Sequence, residues 1–208
     1  MTAGSSRRVV VFLDYQNVYH RAREAFCARD APAREGQVDL LALGRLLASR
    51  VSGGSLTSVR AYRGRPSRRL DPRSYAAFRR QTWAQAERGA GLVTVIARDL
   101  RYPPDWPTWP AQEKGIDVAL AVDFVMMAAR HEHVVVVLFS SDTDLVPALE
   151  AVIALRPGSP PACEVAAWAA PGMRPRTLSV RGVRLRRHLL TEADFRAVAD
   201  PTDYARTP

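Results

Sequence analysis

Two aspartates spaced D-x-D, Asp142 and Asp144, follow an unbroken apolar run from Val134 to Phe139. Two more carboxylates take comparable places, Asp14 directly after the run VVVFL and Asp117 at the start of an apolar helix pattern. Carboxylates gathered within a few ångströms repel one another, which raises their pKa values unless a cation compensates, and oxygen ligands of this kind suit Mg²⁺ or Mn²⁺. Such an ion lowers the pKa of a bound water, orients it and neutralises charge on a phosphodiester, singly or as a pair. Each polar group also has a structural alternative. Asp144 suits the N-cap of the helix carrying Pro147 in its first turn, Asp117 a cap behind Gly115, and Asn17 the cap of the first helix. Asp123 stands about 240° around the helix from Asp117. It therefore reaches the same place only obliquely, or it is a buried polar residue with a partner of its own.

The elements that must position these groups alternate between strand and helix. Val134 to Phe139 has no polar alternation and suits a strand covered on both faces, near the middle of a parallel sheet. VVVFLD is a second such strand, and Tyr15 starts a helix to about Phe26. Asp39 caps the pattern LLALGRLLASR, Leu56 to Tyr62 and Leu92 to Ala97 are strands, and Ser74 to Arg88 is a helix between them. Asp99 to Gln112 carries four prolines with Trp106 and Trp109 and is expected to be a loop or flap. Ala162 to Ala169 is a last strand, Arg174 to Arg187 an irregular arginine-dense stretch, and Thr191 caps a short helix with Asp194 in a capping box. The tail after Pro201 is expected to be loose. Together these predict an α/β protein of three layers, α/β/α, with a mostly parallel central sheet of about five strands. The strand ends of such a sheet converge on one rim, which would gather the aspartates. The expected division is an arm over 1–7, one domain over 8–170, and a basic C-terminal extension over 171–208 packed on that domain.

Charge restricts the partner. Thirty basic residues against 21 acidic leave +9, which makes an anionic partner such as nucleic acid plausible. Between Arg60 and Arg80 stand Arg60, Arg63, Arg65, Arg68, Arg69, Arg73, Arg79 and Arg80, with Tyr62, Tyr75 and Phe78 interleaved. That mixture suits a single strand, phosphates on arginine and bases on rings; the alternative is a solvated face with the rings in the core. A second block, Arg174, Arg176, Arg181, Arg184, Arg186 and Arg187, either flanks the rim or solvates the back. Cys27 and Cys163 show no framework spacing and fit a reducing cytoplasm, and no apolar run is long enough to span a membrane. No P-loop, G-x-G-x-x-G or G-x-S-x-G occurs. Gln16 stands where a haloacid-dehalogenase-like phosphatase needs a second aspartate. His131-Glu132-His133 lacks zinc-protease spacing and is read as a cation pair at a helix end.

Three blocks carry a family resemblance: Asp14-Tyr15-Gln16-Asn17, Lys114 to Asp123 (KGIDVALAVD) and Ser140 to Pro147 (SSDTDLVP). In order and separation they resemble the NYN domain family of PIN-like nucleases. The resemblance implies a PIN-like fold and metal-dependent ribonuclease chemistry with Mg²⁺ or Mn²⁺. By position it makes Asp14, Asp117, Asp142 and Asp144 the acidic metal-binding set, with Asp123 as a weaker member. Asn17 would orient substrate or a carboxylate, and Lys114 would contact phosphate. Ser141 and Leu145 depart from the family's usual glycine and phenylalanine. The expected function is hydrolysis of RNA, single-stranded by preference and with DNA not excluded, with Arg63, Arg65, Arg68, Arg69 and Arg73 as further nucleic-acid contacts. A homo-oligomer or a protein partner is compatible with the same sequence. The rival reading is a non-catalytic module that binds RNA or protein on the same fold.

Overall fold

The computed structural model describes residues 7–130, 135–155 and 163–206. In chain order the strands are β1 (Arg7–Asp14), β2 (Gly54–Arg65), β3 (Val93–Asp99), β4 (Val135–Phe139), β5 (Cys163–Trp168) and β6 (Arg187–Leu190). The α-helices are α1 (Tyr15–Phe26), α2 (Leu40–Arg50), α3 (Pro72–Gly89), α4 (Ile116–Ala129), α5 (Val146–Ala154) and α6 (Glu192–Val198). The strands lie in the order β3-β2-β1-β4-β5-β6, each pair parallel. The expectation of about five strands becomes six, because the arginine-dense C-terminal stretch ends in β6. Its alternation, Arg187 and Leu189 out and His188 and Leu190 in, is that of an edge strand. His188 meets Glu164 of β5 at 2.5 Å with both side chains buried.

Two cores flank the sheet because side chains alternate along each strand. Val9, Val11 and Leu13 of β1 and Val135, Val137 and Phe139 of β4 pack under α1, α2 and α6. Val10 and Phe12, with Val136 and Leu138, pack under α4 and α5. The central strands are thus covered on both faces, as their unbroken apolar runs require. α4 is apolar nearly all round: Leu120 and Phe124 face the core, while Val118, Val122 and Met126 lie exposed along one stripe. Among the described residues no helix is long and apolar enough to cross a membrane. The expected cation pair at His131-Glu132-His133 lies outside the described residues, as do residues 1–6 of the expected arm.

The tail is fixed rather than loose. Asp200 is 2% exposed and its carboxylate accepts from Arg88 (2.8 Å), Tyr204 Oη (2.8 Å) and Gln85 (3.2 Å). Arg80 donates twice to the Tyr204 carbonyl, and Tyr204 is itself buried. Sequence composition misses this because the bonds are long-range and reach polar atoms. Burial would raise the Asp200 carboxyl, but the bonds from Arg88, Thr202 and Tyr204 outweigh it and hold it below 3.8. A carboxyl lowered on folding stabilises fully above its unfolded pKa and loses that contribution as pH falls through its folded value. Asp200→Asn should therefore lower unfolding free energy by about 1–3 kcal/mol at pH 7, and urea melts should show the difference shrinking below pH 3.8.

Candidate active site

The strand order reverses between β1 and β4, and the crevice at their carboxyl ends is the usual ligand position of an open parallel sheet. Asp14 is the last residue of β1 and the N-cap of α1, 2% exposed. Its carboxylate accepts from Asn17 N (3.1 Å), Asn17 Nδ2 (2.5 Å) and Ser140 Oγ (2.7 Å). Ser140 Oγ also accepts from Asp142 N at 3.0 Å, and Ser141 Oγ donates to Asn17 Oδ1 at 2.5 Å. Two strand-to-helix turns are thereby stitched together through Asp14 and Asn17. Ser141, a departure from the family's glycine, contributes a hydroxyl to that network.

The caps differ from those suggested by sequence. Asp14, not Asn17, caps α1, and Asn17 instead spans from Asp14 to Ser141. Asp142, not Asp144, is the cap, of a 3-10 turn (Thr143–Leu145) that leads into α5, and it accepts from Asp144 N at 2.9 Å. Asp144 is left exposed. Gly115 begins α4 with φ at 75°, so Asp117 stands inside the first turn rather than capping it. The capping alternative thus accounts for one carboxylate oxygen of Asp14 and one of Asp142 and for neither of Asp144, while Asp117 accepts from its own first-turn backbone N–H.

Burial pushes the Asp14 carboxyl above its ordinary 3.8 in spite of its three donors. Burial raises Asp117 as well, and the charges of Asp14, Asp142 and Asp144 push it further in the same direction. The structure adds a fifth carboxylate, Glu113. Burial raises it, the Gly64 N–H lowers it, and the charges of Asp14 and Asp117 raise it again. Its Oε1 accepts from Gly64 N. A side chain at Gly64 would place Cβ 2.2 Å from Leu100 and 2.8 Å from Glu113 Oε1, so glycine permits this approach. A lone glutamate at the end of a proline-rich insert carries no sequence signal for such a role.

Asp123 is placed elsewhere. Burial would raise its carboxyl, but Tyr62 Oη and Arg60, each at 2.7 Å, hold it below 3.8. It has partners of its own, as one of the two alternatives required, but it is part-exposed rather than buried, and Arg60 leaves the basic set with it. Among the described residues, no three His, Cys, Asp or Glu side chains stand close enough together to hold a metal ion directly. The donor chemistry nonetheless fits Mg²⁺ or Mn²⁺. The charges of Asp14, Asp142 and Asp144 all raise Asp117, and Mg²⁺ commonly binds through one or two carboxylates while keeping several waters.

The basic residues separate by role. Arg65 pairs with Asp99 at 2.6 Å, and Arg63 lies half-buried against the rings of Tyr15 and Phe78. Arg68, Arg69, Arg73 and Lys114 are exposed. Arg174 and Arg176 line a small recess with Asn17, Ser140 and Ser141, whereas Arg184, Arg186 and Arg187 line a different surface beside β6. Trp106 packs edge-on to Tyr102, and Trp109 is 63% exposed.

The sequence profile of the NYN domain matches residues 8–156. A solved structure, that of a protein of unknown function from Vibrio parahaemolyticus RIMD 2210633, is similar at a TM-score of 0.48 and 18% identity, covering 81% of this chain and 84% of that one. No curated protein matches the sequence.

A carboxyl raised on folding destabilises its charged form, a penalty absent below the unfolded pKa and complete above the folded one. Asp117→Asn should therefore raise the unfolding free energy in EDTA at pH 7 by an amount on the order of 0.5 kcal/mol, since the group is partly solvated. Thermal melts from pH 3 upward check this: the variant's advantage should appear only as pH rises past 3.8.

Proposed function

The chain belongs to the NYN domain family, and from that premise we propose that it is a metal-dependent ribonuclease that hydrolyses phosphodiester bonds of single-stranded RNA. The observation that carries the proposal is the mutual repulsion of Asp14, Asp117, Asp142 and Glu113 at the switch point of the sheet, an arrangement that invites a divalent cation. Of Asp14, Asp117, Asp142 and Asp144, one or two would hold Mg²⁺ or Mn²⁺ directly and the others through its bound waters, with Glu113 alongside. When bound, the ion supplies an activated water and neutralises charge on the scissile phosphate. The chain's own part is orientation. Asn17 and Ser140 fix the Asp14 carboxylate so that it cannot turn away, and Asp142 is held by its bond from Asp144 N. Asp117, part-exposed in the first turn of α4, would bring its carboxylate to the same edge.

The strand would cross the rim between two basic surfaces, Arg68, Arg69, Arg73 and Lys114 on one side and Arg174 and Arg176 on the other. Free thiols at Cys27 and Cys163 suit the cytoplasmic location included in this reading. A second reading, an RNA- or protein-binding module without catalysis, is favoured by the spacing of the carboxylates, since among the described residues no three stand close enough to ligate together.

Cleavage of labelled single-stranded RNA in Mn²⁺ or Mg²⁺ tests the proposal. Asp14→Asn and Asp142→Asn should each reduce cleavage by about 100-fold or more, and EDTA should abolish it. Cleavage that survives both substitutions would overturn the assignment, and RNA bound but intact under both metals would favour the second reading. For binding, the triple variant Arg68→Ala, Arg69→Ala and Arg73→Ala should reduce the salt slope of log K by about two to three. An unchanged slope places the phosphate contacts elsewhere.

A further inference from the structure

On the β2 side of the rim, a cleft of about 350 Å³ opens between α1, α3 and the C-terminal tail. Tyr15, Tyr19, Arg63, Phe78, Gln81 and Tyr204 contribute to its walls. Gln16 and Glu113 line it too, so the cleft adjoins the carboxylates. The fixed tail supplies one wall, which gives the Asp200 and Tyr204 network a role beyond stability.

Arg63 is the unusual group in this cleft. Its guanidinium lies 4.3 Å from the ring centroid of Tyr15 and 5.0 Å from that of Phe78. Its Nη1 donates to Gln81 Oε1 at 2.6 Å, and Gln81 is held in turn by donating to Tyr15 Oη and Gln37 Oε1. Nε is buried with no partner, and no acceptor meets Nη2 among the described residues. Rings stacked on a guanidinium attract its charge but accept none of its in-plane N–H groups. Nε–H and Nη2–H form one edge of the guanidinium, the fork that binds a phosphate through two parallel hydrogen bonds. Glu113 is near enough to be felt by Arg63, but its Oε1 is engaged by Gly64 N. A half-buried cation whose covered Nε and whose Nη2 meet no acceptor among the described residues is costly to keep unless an anion approaches it.

We propose that this cleft is a nucleotide subsite in which Arg63 binds the phosphate of one nucleotide of the substrate strand, with the rest of that nucleotide against the aromatic wall of Tyr19 and Tyr204. The proposal rests on the nucleic-acid reading above and specifies where a nucleotide next to the scissile bond is held. The volume suits one nucleotide unit, and the aromatic wall suits a base without demanding a particular one.

Calorimetric titration of the full chain in EDTA tests the subsite apart from catalysis, with uridine 5′-monophosphate, adenosine 5′-monophosphate, uridine and inorganic phosphate as probes. At least one monophosphate should bind about tenfold or more tightly than either uridine or phosphate. Arg63→Gln should weaken it by about tenfold or more. Ala77→Glu, which sets a negative charge on the α3 wall while leaving Arg63 in place, should do the same and decides the matter if Arg63→Gln does not fold. Asp117→Asn should bind the monophosphate at least as well as the wild type. No monophosphate binding, phosphate binding as tight as the monophosphate, or binding unchanged in folded Arg63→Gln or in Ala77→Glu would overturn the proposal. Monophosphate binding without RNA cleavage would overturn the nuclease reading and leave the subsite standing; cleavage without monophosphate binding would do the opposite.

Discussion

The buried carboxylate of Asp14 is the constraint on which the site depends. At 2% exposure its charge has lost most of its hydration, and that loss must be offset by donors or by a cation. Three donors are supplied, two from Asn17 and one from Ser140, yet burial still holds the carboxyl above its ordinary range. The donors also bind β1 and α1 to the turn after β4, since Ser140 receives Asp142 N and Asn17 receives Ser141 Oγ. One desolvated group thus fixes the relative position of the two turns that present the rim.

The sheet makes that arrangement possible. β1 and β4 pair in parallel from Val9 with Val135 to Leu13 with Phe139, so their ends arrive together. α4, on the face opposite α1, then brings Asp117 to the same edge, and Gly64 lets Glu113 approach from the end of β2. Carboxylates thus come to one edge from β1, from the turn after β4, from α4 and from the loop before it. Hydrogen bonds offset part of their repulsion, and in the proposed function a divalent cation offsets the remainder.

Much of this frame was legible in the chain because it rests on local patterns. The apolar runs of β1 and β4 announce buried strands, Asp39 and Thr191 announce helix starts, and the D-x-x-N and D-x-D spacings mark the two turns. What sequence could not supply depends on contacts distant along the chain. Asp123 and Asp117 share a helix, but only the fold reveals that Arg60 and Tyr62 of β2 meet Asp123. Arg63 and Arg68 look alike in one basic stretch, yet pleating and the end of β2 turn the first under Tyr15 and leave the second in solvent. Glu113 and the tail were invisible for the same reason: their partners, Gly64 and Arg88, lie in other elements.

The most direct test of the central claim is the melting temperature of the wild type and of Asp142→Asn, each with EDTA and then with millimolar Mn²⁺ or Mg²⁺. A cation that binds the folded rim must stabilise it by mass action. The account predicts a concentration-dependent rise for the wild type that is absent or much reduced in the variant. Equal responses in the two proteins, or none in either, would contradict it.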